Sequence, residues 1–126
     1  MIYAIETEKS VREVERSFPE AAKKHGFGVL GTHDLKSKMN EKGVDFDREC
    51  LVFEVCNPNK AKKVLEGDMA ISTALPCRVS VYDDGGKTKI ATIKPTALLG
   101  MFPNPELKPV AEEVERILFD IMKDAA

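Results

Sequence analysis

The residues of this chain best placed for chemistry are two cysteines, each at the junction of two regular elements. They sit in Val55-Cys56-Asn57-Pro58 and in Leu75-Pro76-Cys77-Arg78. Asparagine is a favoured helix N-cap and proline a favoured first helical residue, so Cys56 is expected to end a strand and face a helix start. Pro76 fixes its own φ and turns Leu75 toward an extended conformation, so Cys77 is expected to open the next strand. A thiol at a helix N-terminus can be acidified by the helix dipole. A second thiol beside it would complete an attacking and resolving pair. The plainer alternative is two small packed side chains at crowded strand ends, since free cysteine is among the most buried residue types.

Topology decides whether the thiols meet. If the third and fourth strands are antiparallel neighbours, Cys56 and Cys77 share one edge of the sheet. His33, at the end of the second strand, then lies at the opposite edge, near Cys50. Glu54 and Arg78 both stand outward by strand alternation and can pair across the strands, as a surface ion pair or as the floor of a polar pocket. Cys56, Cys77, Arg78 and Glu54 together form the candidate ligand site. His33-Asp34 has the look of a general base and its orienter, but Asp34 is better explained as a helix N-cap. His25 lies in the last turn of a helix. Cysteines at 50, 56 and 77 with histidines at 25 and 33 show no paired metal-ligand spacing, so no metal site is expected within one chain. Thiolates of two copies could still meet on a symmetry axis. No catalytic residue is assigned and no cofactor can be named.

The elements that must position these residues follow from periodicity. Ile2–Glu6 alternates as a first strand. Ser10-Val11-Arg12-Glu13 is a capping box opening a helix whose inner face carries Val11, Val14, Phe18, Ala21 and Ala22. Pro19 is expected to kink or split that helix, with a restart capped by Ser17 and Glu20. His25-Gly26 closes it. Phe27–His33 is the second strand, and Asp34 caps a short helix stopped by Gly43. Glu49–Cys56 is the third strand, with Leu51, Phe53 and Val55 on its core face. A helix runs from Pro58 to Glu66 before Gly67, and Asp68–Ala74 has no clear type. Cys77–Tyr82 and Lys87–Lys94 are strands joined by Asp83-Asp84-Gly85-Gly86, a turn and not a phosphate loop. Leu98–Phe102 is an apolar loop or single turn, suited equally to the core or to a dimer contact. From Leu107 to Met122 runs the longest amphipathic helix. The reading is an α+β fold with a mainly antiparallel five-stranded sheet and the first and last helices on one face.

A chain of 126 residues, 43% hydrophobic, is expected to form one domain. A net charge of −2 gives no basic face for nucleic acid. The lysines at 60, 62 and 63 lie opposite Ala61, Val64 and Leu65 on a helix and read as a solvated face. Without a signal-like N-terminus or a membrane-length apolar run, the expected location is the cytoplasm, with no membrane partner.

The run from Val55-Cys56-Asn57-Pro58 through Leu75-Pro76-Cys77-Arg78-Val79 resembles the family numbered 302 among domains of unknown function. His33-Asp34-Leu35 and Thr92-Ile93-Lys94-Pro95-Thr96 fit the same pattern. The resemblance implies a β-α-β(4)-α arrangement and a homodimer, and it brings no activity. Cys56 and Cys77 match its motif positions, whereas Cys50 does not. Two functions follow as expectations. One is a small-ligand-binding or assembly module with a pocket near Cys56 and Cys77. The other is a thiol-dependent redox or sulfur-handling enzyme using the same pair. Apolar residues left on the outer sheet face and in Leu98–Phe102 argue independently for a second copy as partner, through one or the other surface.

Overall fold

The computed structural model describes residues 1–126. In chain order the elements are β1 (Ile2–Thr7), α1 (Val11–Lys24), β2 (Gly28–Asp34), α2 (Leu35–Glu41), β3 (Cys50–Cys56), α3 (Pro58–Gly67), β4 (Cys77–Asp84), β5 (Lys87–Ile93), α4 (Pro95–Leu99) and α5 (Lys108–Ala125). Short 3-10 turns fill Met69–Ala74 and Pro105–Leu107. The five strands form one sheet in the order β1-β5-β4-β3-β2. Every neighbouring pair is antiparallel. The fold is therefore α+β, as the periodicity predicts.

Alternation along β3 buries Leu51, Phe53 and Val55 completely or nearly so. Across from them in β4, Val79 and Val81 are equally buried. Helix α1 lays Val14, Phe18 and Ala22 on this face and α5 adds Leu118, Ile121 and Met122. The rings of Phe18 and Phe53 stack with centroids 4.5 Å apart. A second, smaller cluster of Val64, Ile71, Leu99, Leu107 and Ala111 closes one end of the molecule. It is built by α3 and the Met69–Ala74 turn between β3 and β4, and by α4, the Pro105–Leu107 turn and the start of α5 after the last strand.

The caps act as the sequence dictates. Ser10 and Glu13 form a reciprocal capping box, and the Asp34 carboxylate accepts from the Ser37 amide at 3.0 Å. Gly85 and Gly86 both adopt positive φ in the β4–β5 turn, which a hairpin of this hand requires. The expected restart at Ser17–Glu20 does not occur: α1 runs unbroken through Pro19. Pro19 is on the exposed side, where the bond it deletes is the most readily replaced by water. The Ser17 hydroxyl instead donates to the Ala125 carbonyl at 2.7 Å, tying α1 to the end of α5. Leu98–Phe102 belongs largely to the smaller cluster: Leu99 is buried and Phe102 packs beside it, leaving Gly100 and Met101 exposed.

Candidate functional site

The thiols come together at one end of the sheet because β3 and β4 are antiparallel, with Val55 opposite Cys77. Asn57 fixes the corner. Its side-chain oxygen accepts from the Asn59 and Lys60 amides at 3.0 and 3.2 Å, and its amide donates to the Gly26 carbonyl at 3.2 Å. Leu75 is extended, and the Leu75–Pro76 bond is cis. Cys56 and Cys77 both line an apolar cavity walled by Phe27, Val64, Leu99 and Val114, of about 40 Å³. That is space for a water molecule, against several hundred Å³ for a typical organic ligand.

The chemistry of the corner runs against a reactive thiol. Burial pushes the Cys77 thiol up to about 11, and neighbouring Cys56 adds to the shift. Burial also raises Cys56 above its ordinary value, with no cation or donor offsetting it. Strand alternation further sets Cys77 on the core side with Val55, while Cys56 shares its parity with Glu54.

Glu54 and Arg78 lie elsewhere. Their Cα atoms are paired across the strands, but the guanidinium stands 4.0 Å from the carboxylate and is 62% exposed, a loose contact. Glu54 is held instead by His33, with Nε2 at 2.7 Å from Oε1. Lys38 Nζ lies 2.6 Å from the other ring nitrogen. An ammonium can only donate, so Nδ1 accepts from Lys38 and the Nε2–H donates to Glu54, which assigns the tautomer. The backbone of His33 pairs with Val52, in the half of β3 that begins at Cys50 as expected, and its ring leans along the strand to Glu54. A register shift between Val29 and Gly31 prepares this arrangement. Gly31 also leaves room for it, because a Cβ there would come within 3.2 Å of Glu54 Oε1. Glu54 stands outward on the uncovered sheet face, as alternation predicts, and it does not line the apolar cavity of Cys56 and Cys77. Arg78 borders a separate groove of about 270 Å³ with Cys77, Ile93, Met101 and Phe102.

A larger cleft, about 630 Å³, opens between the start of α1 and the β4–β5 hairpin. Periodicity gives no sign of it, because it lies between elements distant in sequence. Carboxylates of Glu6, Glu8, Glu13, Glu49 and Asp83 outnumber its cations. Arg12 is already engaged, at 2.8 Å from Asp34 and 3.0 Å from Glu49.

The family model for the domain of unknown function DUF302 matches residues 3–125. This chain belongs to the DUF302 family. A crystal structure of an uncharacterized conserved DUF302 protein from Bacillus stearothermophilus is similar over 99% of this chain and 98% of that one, with 35% identity and a TM-score of 0.94. None of the curated proteins matches. The family thus accounts for the fold of this DUF302 chain. No helix is long and apolar enough to cross a membrane.

Proposed function

We propose that this DUF302 chain acts as a single binding and assembly domain, with Cys56 and Cys77 as packing residues and not as reactive thiols. The observation that carries the reading is a strip of exposed apolar side chains on the sheet side not covered by α1 and α5. Ile2 is 59% exposed and pairs with Ile93, itself 41% exposed. Ile93 shares its groove with Met101, which is 68% exposed. Apolar surface that gathers in this way marks an interaction site more often than scattered exposed residues do. A second copy of the chain is the partner that needs no further component.

The thiol-enzyme alternative requires an acidified Cys56 with room for a substrate, and both thiols are shifted the other way beside a cavity of water size. Alkylation followed by mass spectrometry from pH 6 to 10 tests the distinction. Cys77 is expected to stay inert in the folded protein and Cys56 to react more slowly than a free thiol. A thiol labelled rapidly below pH 7 overturns the reading.

A further inference from the structure

The two edges of the sheet are guarded very differently. An edge strand shows unpaired N–H and C=O groups, and proteins blunt this hazard with bulges, inward charges, proline or a covering element. β2 has such devices. Its ladder shifts between Val29 and Gly31, it carries two glycines, and Lys38 of the following helix reaches back onto His33. β1, the other edge, has only the charge of Glu6 near its end. Its pairing with β5 runs unbroken from Ile2 to Thr7, with no proline, glycine or lysine in Ile-Tyr-Ala-Ile-Glu-Thr.

The pattern of backbone bonds says which groups are free. The Lys94 amide donates to the Met1 carbonyl at 2.8 Å. In an antiparallel ladder bonded residues alternate, so Tyr3 and Ile5 turn their backbone groups toward β5. Ile2, Ala4 and Glu6 therefore turn theirs outward, where no strand lies. Beneath the edge, Tyr3 and Ile5 are only partly buried, and Phe119 of α5 stacks on Tyr3 with centroids 3.8 Å apart.

We propose that β1 pairs antiparallel with β1 of a second copy about a two-fold axis at Ala4, joining two five-stranded sheets into one. This rests on the assembly reading above for its partner, a second copy, and places the contact at the sheet edge beside the apolar strip, of which Ile2 alone enters it. The edge is self-complementary in this register. Ala4 meets Ala4 of the partner subunit, a contact that small side chains permit. Ile2 faces the partner's Glu6, so the carboxylates do not oppose each other. Tyr3 faces the partner's Ile5 on the helix side, placing an aromatic against a β-branched residue, a favourable cross-strand pair. Every outward amide and carbonyl of Ile2, Ala4 and Glu6 finds a partner.

Ala4 is exposed, so charge can be placed there without disturbing the core. By light scattering at tens of micromolar, the unaltered chain is expected to be a dimer. Ala4→Lys and Ala4→Glu would each put like charges face to face and weaken it by about a hundred-fold. Mixing the two in equal amounts is expected to restore the dimer. Leu30→Asp, on the guarded edge, is expected to leave it intact. An unaltered chain that is monomeric overturns both this proposal and the assembly reading. A dimer indifferent to both Ala4 variants overturns the edge pairing alone, and failure of the mixture to reassociate overturns the register. Hydrogen exchange on the unaltered chain gives an independent check. The amides of Ile2, Ala4 and Glu6 are expected to be protected at high concentration and to lose protection on dilution, and fast exchange at all concentrations overturns the pairing.

Discussion

The two hydrophobic clusters of this DUF302 chain are built on different principles. The larger is clamped between a five-stranded sheet and two long helices, and its central side chains Phe18, Phe53, Leu51 and Ile90 are fully buried. The smaller gathers Val64, Ile71 and Leu99 from helices and turns of ten residues or fewer, none of which could stand alone. The thiol cavity lies on the seam, with Phe27 and Val55 from the larger cluster and Val64 and Leu99 from the smaller. Long-range strand pairing makes the first cluster a cooperative unit. The second depends on the first for its anchorage, so it is expected to open first.

Substitutions graded by size can break or sharpen this contrast. Phe53→Ala is expected to cost about 3–5 kcal/mol and to lower the whole unfolding transition, read by denaturant titration. Leu99→Ala is expected to cost less, about 2 kcal/mol, because short elements can close partly over the gap. Its signature would be hydrogen-exchange protection lost in α3 and α4 while the strands keep theirs. Equal loss in both regions would show one cooperative core. Cys77→Ser, at the seam, buries a hydroxyl with no partner and is expected to cost about 1–2 kcal/mol. Cys56→Ser, in a less buried place, is expected to cost less than half of that, as compared by thermal melts.

An effect of similarly small size concerns Asp34. The Ser37 backbone amide and the Arg12 guanidinium hold its carboxyl below the usual aspartate value. A depressed pKa contributes stability that is full above the ordinary carboxylate range and is lost as the pH falls through the folded value. Asp34→Asn is therefore expected to cost about 1 kcal/mol or less at neutral pH. The difference from the unaltered chain should fade below about pH 4. A deficit that persists at pH 2 would place the loss in packing and not in charge.

The sheet and its two long helices were legible because their residues carry clear periods. Leu51, Phe53 and Val55 alternate with polar neighbours, and the apolar stripe of α5 recurs at helical spacing. Ser10, Asp34 and Asn57 announce their helices by the chemistry of the cap. The smaller cluster was less legible because its elements are too short to show a period; the turn at Met69–Ala74 buries only Ile71. The candidate site was half legible. Cys56 and Cys77 do share a cavity, as strand order requires. Outward, opposed positions point Glu54 to Arg78, and the contact between them is a loose 4.0 Å. The bulge in β2 that delivers His33 to Glu54 has no local sequence signal apart from the small residue at Gly31. In Leu98–Phe102 the apolar content is visible in the sequence and the packing is not, so core and partner contact read alike there.

The uneven guarding of the sheet edges also bears on how growth stops. A strand edge that accepts its own copy uses itself up, and the joined sheet then ends on two copies of β2. There the irregular ladder between Val29 and Gly31 gives an incoming strand no continuous row of groups to match. The proposed pairing would thereby be limited to a closed pair, where a chain with two bare edges would be free to add subunits without end and form a fibre. In the proposed pairing, the bulge beside the His33–Glu54 contact would also stop further polymerisation.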